Sequence, residues 1–279
     1  MKTTGDGNKV AIITGAASGI GRATAERLGG LGLKLALADI DAERLRATEH
    51  EIAARGATAL AVVTDVGDIA SCRRLVAAVG DRFGRVDVLV NSAGVVRPGN
   101  ADTVSDADVE FELRVNLFGV INATRAVLPT MRQQNAGHIV AIASLAALTP
   151  LPGESVYCAS KYGVRGFLLS VALELRHTPI RVSLIHPDMV DTPMMAYEAS
   201  HDAAPLAFSG KILKPDDVAA AVLEALQTGR REIAVPRTRG WLITLVELFP
   251  PLRDALVDRL ERAGERELAR QRGRVGRAE

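Results

Sequence analysis

Short apolar runs alternate with longer stretches of helical period through the first two-thirds of the chain. The runs KVAIIT (9–14), LKLALA (33–38), ATALAVVT (57–64), VDVLV (86–90), HIVAIA (138–143) and IRVSLI (180–185) are rich in Val, Ile and Ala. They lack the strict polar alternation of a strand with one wet face, as strands buried on both faces do. Between them, residues 19–31, 41–55, 68–83, about 105–133 and about 154–176 carry a helical pattern. Strand–helix alternation with short turns predicts a parallel sheet wrapped by helices on both faces.

The pattern loosens after residue 187. Residues 188–214 mix Pro, Ser, Asp and Gly with scattered Met and Phe, and are expected to form a long irregular segment of functional type. Residues 214–229 regain a helical period, with Pro215 near the start and Gly229 past the end. The run REIAVP (231–236) reads as a last strand. No repeat or low-complexity linker divides the chain, so residues 1–236 are expected as one domain and 237–279 as a C-terminal helical extension. In the extension, residues 241–249 are almost all apolar, Pro250 and Pro251 interrupt the chain, and Leu252, Leu256, Val257 and Leu260 form one helical stripe. Three roles stay open for it: packing over the core or the site entrance, a subunit interface, or contact with a membrane surface.

Composition narrows the classes. The chain has 279 residues, 48% of them hydrophobic, enough for a sizeable core. A formal net charge of +1 gives no overall field to recruit nucleic acid. Cys72 and Cys158 make neither a metal-ligand spacing nor a disulfide framework, so no metal is expected and a reducing, cytoplasmic setting is. The first ten residues, MKTTGDGNKV, have no apolar leader.

The first strand runs into TGAASGIGRATAERL, with Gly15, Gly19 and Gly21 at the strand-to-helix corner. Glycines there permit a tight turn and close approach to a ligand, and the helix start offers N–H groups to a pyrophosphate. Asp39 follows eighteen residues after Gly21, at the end of the next strand. A carboxylate there accepts hydrogen bonds from ribose hydroxyls and repels a 2′-phosphate, which favours NAD. Arg22, in the first helical turn, keeps NADP open. Asp41 is expected to cap the helix that follows.

The spacing TGxxxGxG, NSAG at 91–94, VN at 115–116, Ser144 and YxxxK at 157–161 occur in one order over about residues 9–193. Together they resemble the short-chain dehydrogenase/reductase family. The resemblance implies a Rossmann-type, doubly wound α/β fold and hydride transfer between a nicotinamide cofactor and a secondary alcohol or ketone. It implies Tyr157 as acid/base, with Lys161, Ser144 and Asn116 completing the catalytic set. Lys161 would also hold the nicotinamide ribose, and Asn116 would anchor a proton-conducting water. Cofactor contacts are implied for Gly15, Ser18, Gly19, Ile20, Gly21, Asp39, Asp65, Val66, Asn91, Ala93, Gly94, Tyr157, Lys161, Pro187, Val190 and Thr192. Homo-dimers or homo-tetramers built on the long helices are implied as well. Two departures stand out: Ser92 replaces a common second Asn, and Asp188 replaces a common Gly, which puts an acid near the nicotinamide or the substrate.

Further expectations close the reading. Tyr157 and Lys161, four apart, share a helix face, and a nearby ammonium would favour the phenolate. Tyr162 points elsewhere and is expected to pack. Met189, Met194 and Met195 with Tyr197, Leu206 and Phe208, opposite Leu148, Leu151 and Pro152, suggest an adaptable wall for a hydrophobic substrate. A small charged acid is not expected, because residues 188–214 hold no arginine. The rival from another class is a non-catalytic dinucleotide sensor.

Overall fold

The computed structural model describes residues 8–200 and 204–275. Most of the first ten residues, read as having no apolar leader, therefore lie outside the described residues, as does the very end of the tail. Seven parallel strands form one sheet: β1 (Val10–Thr14), β2 (Lys34–Asp39), β3 (Ala59–Val63), β4 (Val88–Asn91), β5 (Gly137–Ile142), β6 (Ile180–Pro187) and β7 (Glu232–Val235). Their order is β3-β2-β1-β4-β5-β6-β7. The chain moves outward in one direction from β1 and then returns to build β4–β7 on its other side. This reversal opens a crevice at the carboxyl ends of β1 and β4.

The helices fill both faces, which is why the strands read as unbroken apolar runs. On one face α3 (Ile69–Phe83), α5 (Gly119–Gln134) and α6 (Ser155–Glu174) pack Leu75, Val79, Val127, Met131, Val164 and Leu168 against the sheet. On the other, α1 (Gly19–Gly30), α2 (Ala42–Ala54) and α8 (Pro215–Thr228) pack Leu28, Leu45, Ile52, Val222 and Leu226. Asp41 caps α2 as expected, accepting from Arg44 N at 3.0 Å.

Two expectations change. The single helix expected over about 105–133 is α4 (Asp106–Leu113) and α5, joined by a π-helical turn at Arg114–Phe118. The turn RVNLF carries no Gly or Pro, so no helix breaker marks it in the sequence. The irregular segment expected over 188–214 is also more ordered than its composition implies. It holds α7 (Pro193–Ala199), a 3-10 turn at Pro205–Ser209 and a bridge between Val190 and Leu213.

The reason lies in the extension, which folds back as α9 (Arg237–Glu247) and α10 (Pro250–Val275). Leu268 of α10 joins Met195, Ala199 and Phe208 in a small core of its own, and Arg272 Nε donates to Ala199 O at 2.8 Å. Phe208 is thereby a packing residue under α10. The inner side of α9 faces the body, where Thr149 Oγ1 donates to Glu247 Oε1 at 2.7 Å. Its outer side leaves Trp241, Leu242, Leu245, Leu248 and Phe249 exposed. Packing is therefore the role the contacts of the extension display.

The fit of α10 is tight at Gly264, where an added Cβ would overlap the backbone carbonyl of Pro205, whereas Gly273 faces open space. Glycine to alanine inside a helix ordinarily stabilises by about 1 kcal/mol. Gly264→Ala is expected to reverse that sign, lowering Tm and exposing residues 188–214 to limited proteolysis, while Gly273→Ala leaves both unchanged or improved.

Candidate active site

At the crevice lies a cavity of about 510 Å³. One end is the glycine-rich turn. A Cβ on Gly15 would stand 2.8 Å from the Ala93 backbone, and one on Gly21 would overlap the carbonyl of Gly15. Thr14 Oγ1 ties the two strand ends together by accepting from Ser92 N at 3.1 Å and Ala93 N at 3.2 Å. Ser18, at the start of α1, makes no side-chain cap, so the first N–H groups of the helix stay available to an anion. Gly15, Ser18, Gly19, Ile20, Gly21, Asp39, Asp65, Val66, Ala93 and Gly94 all line this part. A slot of bare backbone ending in helix N–H groups and a carboxylate fits a dinucleotide, with Asp39 at the ribose end.

The acids there already hold protein groups. Asp39 accepts from Ala17 N at 3.0 Å and Asp41 N at 3.1 Å, and so also fixes the turn. Asp65 accepts from Gly67 N at 2.8 Å and from Arg114 Nη1 at 2.9 Å. Arg22, which kept a phosphate contact open, is paired with Glu26 at 3.2 Å and with Glu51, and does not line the cavity. Asn91 is buried behind the wall and does not line it either; its amide lies 3.5 Å from Thr124 Oγ1.

The other end gathers Ser144, Tyr157 and Lys161. Ser144 follows β5, and its Oγ accepts from Ala146 N at 3.0 Å while also bonding the Tyr157 hydroxyl. Tyr157 and Lys161 project from one face of α6, with Lys161 Nζ 5.4 Å from the Tyr157 ring centre and 3.3 Å from Ile142 O. Asn116 occupies the π turn. It accepts from Val95 N at 2.8 Å and donates to Val95 O at 2.8 Å and Ser160 Oγ at 3.2 Å. These bonds occupy its side-chain amide and fully bury it, so Asn116 braces the wall without lining it. Tyr162 is exposed and does not pack, because five residues along α6 carry it to the far face.

Pro187, Met189, Val190, Thr192, Met194 and Met195 line the cavity as expected, with Leu151, Tyr197 and Leu206. Leu148 and Pro152 do not; Leu145 and Thr149 do. The turn after Ser144 directs residues 144–146 inward, and Leu148 falls outside.

Several lining groups were not foreseen. Arg97 lies 4.8 Å from the Phe111 ring centre and 4.9 Å from that of Tyr197. Arg239 reaches in from α9, so arginines enter the cavity although the 188–214 segment has none. Asp188 is not a lone acid beside the site: its Oδ2 lies 3.0 Å from Arg239 Nε, and Arg239 Nη2 donates to Ser209 Oγ at 2.7 Å. The charge that could have acted on an oxidised ring is thus matched by the extension. Behind Ser144, His186 bridges Ser144 O at 3.1 Å and Glu232 Oε1 at 3.0 Å. That network had no local sequence signal.

Glu154 and Glu198 also line the cavity, and Glu112 lies buried near them. Burial raises all three carboxyls: Glu112 to about 8, and the hydrogen-bonded pair Glu154 and Glu198 well above the ordinary range. Burial likewise raises the Tyr157 phenol, and Glu154 and Glu198 add to it, whereas the bond from Ser144 opposes. Burial also lowers Lys161, to about 8.

Two outcomes follow. For Glu112, folded and unfolded pKa values of about 8 and 4.5 mean the folded chain holds more protons between them, so stability falls as pH rises through that window. His138, lowered to about 4 from 6.5, acts oppositely below 6.5, and Lys161 acts oppositely above 8. Urea unfolding of the cofactor-free protein is expected to show stability declining from pH 6.5 to 8, with Glu112→Gln flattening the slope. Separately, Asp188→Ala is expected to cost about 2 kcal/mol, less than breaking a fully buried pair, because a quarter of the Arg239 side chain reaches solvent. Adding Arg239→Met should recover much of that loss.

Comparison with known proteins agrees with this geometry. The family model for short chain dehydrogenases matches residues 9–203. The chain is 40% identical over 219 residues to (2S)-[(R)-hydroxy(phenyl)methyl]succinyl-CoA dehydrogenase subunit BbsD of Thauera aromatica, covering 77% of this chain and 88% of that one. It is 35% identical over 236 residues to 2,3-dihydro-2,3-dihydroxybenzoate dehydrogenase of Bacillus subtilis (strain 168), covering 80% and 90%. Among solved structures, a short chain dehydrogenase/reductase from Burkholderia phymatum in complex with NAD superposes with a TM-score of 0.82 at 33% identity, over 91% of this chain and 96% of that one. A variant of actinorhodin polyketide ketoreductase with NADPH gives 0.77 at 34% identity, over 83% and 97%. The chain belongs to the short-chain dehydrogenase/reductase family of oxidoreductases.

Proposed function

We propose that the protein is an NAD(H)-dependent oxidoreductase that interconverts a hydrophobic secondary alcohol and its ketone. The single observation that carries this is the cavity itself, which joins a dinucleotide-shaped slot to the Ser144–Tyr157–Lys161 group within one continuous space. When bound, the nicotinamide supplies or accepts the hydride. The chain's own task is then to manage one proton at the substrate oxygen. Tyr157 gives that proton to a forming alkoxide or takes it from an alcohol, and Ser144 orients the same oxygen. The raised phenol keeps Tyr157 protonated, the form that ketone reduction uses, and alcohol oxidation is favoured at alkaline pH. Lys161 holds the nicotinamide ribose and is the cation facing the phenol.

The preference for NAD rests on Asp39 and on the pairing of Arg22 and Arg114 with acids, so neither of these arginines is free to meet a 2′-phosphate. The hydrophobic substrate class rests on Met189, Met194, Met195, Leu151 and Leu206 in the wall. A homo-dimer or homo-tetramer in the cytoplasm goes with this reading, supported by exposed Phe118 and Leu173 near and on the long helices. The outer apolar side of α9 supports a peripheral membrane contact as the second possibility. Among the described residues no helix is long and apolar enough to cross a membrane.

Tyr157→Phe is expected to lower kcat by at least about a hundredfold while NADH still binds, and Tyr162→Phe to change kcat less than about twofold. Fluorescence titration is expected to give tighter binding of NADH than of NADPH by about tenfold or more, with Asp39→Ala narrowing the gap. Equal binding of the two would refute the role given to Asp39.

A further inference from the structure

The arginines that line the cavity are each already matched by an aspartate. Arg97 pairs with Asp108 at 3.1 Å, Arg114 with Asp65 at 2.9 Å, and Arg239 with Asp188 at 3.0 Å. The glutamates have no such partners. Glu154, at the start of α6, and Glu198, on α7, both line the cavity, are 3% and 6% exposed, and hydrogen-bond each other. Each keeps a buried Oε1 with no partner. Behind them Glu112 of α4 accepts from Arg97 N at 3.3 Å through Oε1 and leaves Oε2 without a partner. Lys161 of α6 is the remaining cation of this neighbourhood.

Two carboxyl groups bond each other only when at least one carries a proton. The pair then shares a proton, and no N–H or O–H of the described residues reaches either Oε1. An acceptor left so is costly in a buried wall, by an amount that a ligand donor would restore. Both glutamates line the same cavity as Tyr157, so the vacancy for a donor opens into the space that holds the reacting oxygen. No metal explains the group: among the described residues no three His, Cys, Asp or Glu side chains converge as a cation cage.

We propose that Glu154 and Glu198 form a donor-reading subsite. It selects carbinols with a hydroxyl or ammonium group on the neighbouring carbon, and disfavours those with a carboxylate there. A vicinal diol or amino alcohol on an apolar body satisfies both the methionine-rich wall and the unpartnered oxygens. A carboxylate brings a third acceptor to a wall that lacks donors, and the paired arginines do not answer it. This proposal rests on the alcohol dehydrogenase reading of the same cavity.

Four compounds on one scaffold test it: 1-phenylethanol, 1-phenyl-1,2-ethanediol, 2-amino-1-phenylethanol and mandelate. Binding to the NAD-loaded full-length enzyme is measured by calorimetry beside kcat/KM for NAD reduction. The diol or the amino alcohol is expected to exceed 1-phenylethanol by about tenfold or more, and mandelate to fall below it. Glu198→Gln and Glu154→Gln are each expected to shrink that order, the ammonium compound losing most if charge is read and the diol if the hydroxyl is. A flat order in the wild type, a preference for mandelate, or an order unchanged in both variants overturns the subsite. Should the variants fold poorly, wild-type infrared difference spectra decide: the protonated-carboxyl band shifts with the preferred donor-bearing compound and not with 1-phenylethanol, and no shift overturns the proposal. Turnover with a flat order removes the subsite alone. The expected binding order without NAD reduction removes the dehydrogenase reading alone.

Discussion

Everything at the site depends on two backbones meeting where β1 and β4 end. The Gly15 and Ala93 chains approach so closely that a Cβ on Gly15 would stand 2.8 Å from Ala93. That approach is possible because the strands leave the sheet in opposite directions at this point, one toward α1 and the other toward the 92–97 loop. Gly15 takes φ of 67°, a conformation that side chains resist, so the turn depends on glycine there. Thr14 then secures the approach with bonds to Ser92 and Ala93. With this corner set, the N-terminus of α1 points into the crevice, and the 92–97 loop runs on to meet Asn116 and Arg97.

The second constraint is electrostatic. A phenol that must exchange a proton sits in a wall where burial disfavours every charge. Lys161 is pushed down and Tyr157 is pushed up, so charge separation between them is not the resting arrangement. Glu154 and Glu198 reinforce this by opposing a phenolate. The result is a site whose protons are held by the protein rather than by solvent, and whose balance shifts when a positive group enters nearby. The paired aspartates and arginines around it keep the remaining charges from competing for that balance.

The legible parts of this chain were those encoded at short range. The strand-to-helix corner shows as three glycines after an apolar run, and Tyr157 with Lys161 shows as a four-residue spacing that one helix face must honour. Asn116 was legible as a residue but not in its setting, because no Gly or Pro marks the π turn that holds it. Pairings across long separations left no trace. Asp188 meets Arg239 fifty-one residues later, and Glu112, Glu154 and Glu198 come from three helices. Composition misled where it was most local: residues 188–214 look like loose loop, yet Phe208 and Met195 are held beneath Leu268.

That last point alters what the extension is. Helix α10 is polar over most of its length, and its apolar positions are few. Their value comes from what they cover. The segment 188–209 holds Thr192, the methionines, Tyr197 and Glu198, and its short helices are below the length at which a helix persists unaided. Leu268 and Arg272 supply the missing packing and hydrogen bond from outside, while Arg239 and Glu247 attach α9 to Asp188 and Thr149. The wall that faces the substrate is therefore specified partly by residues more than fifty positions downstream. A change in α10 that never touches the cavity would still move Glu198 relative to Glu154, and with it the proton that the two share.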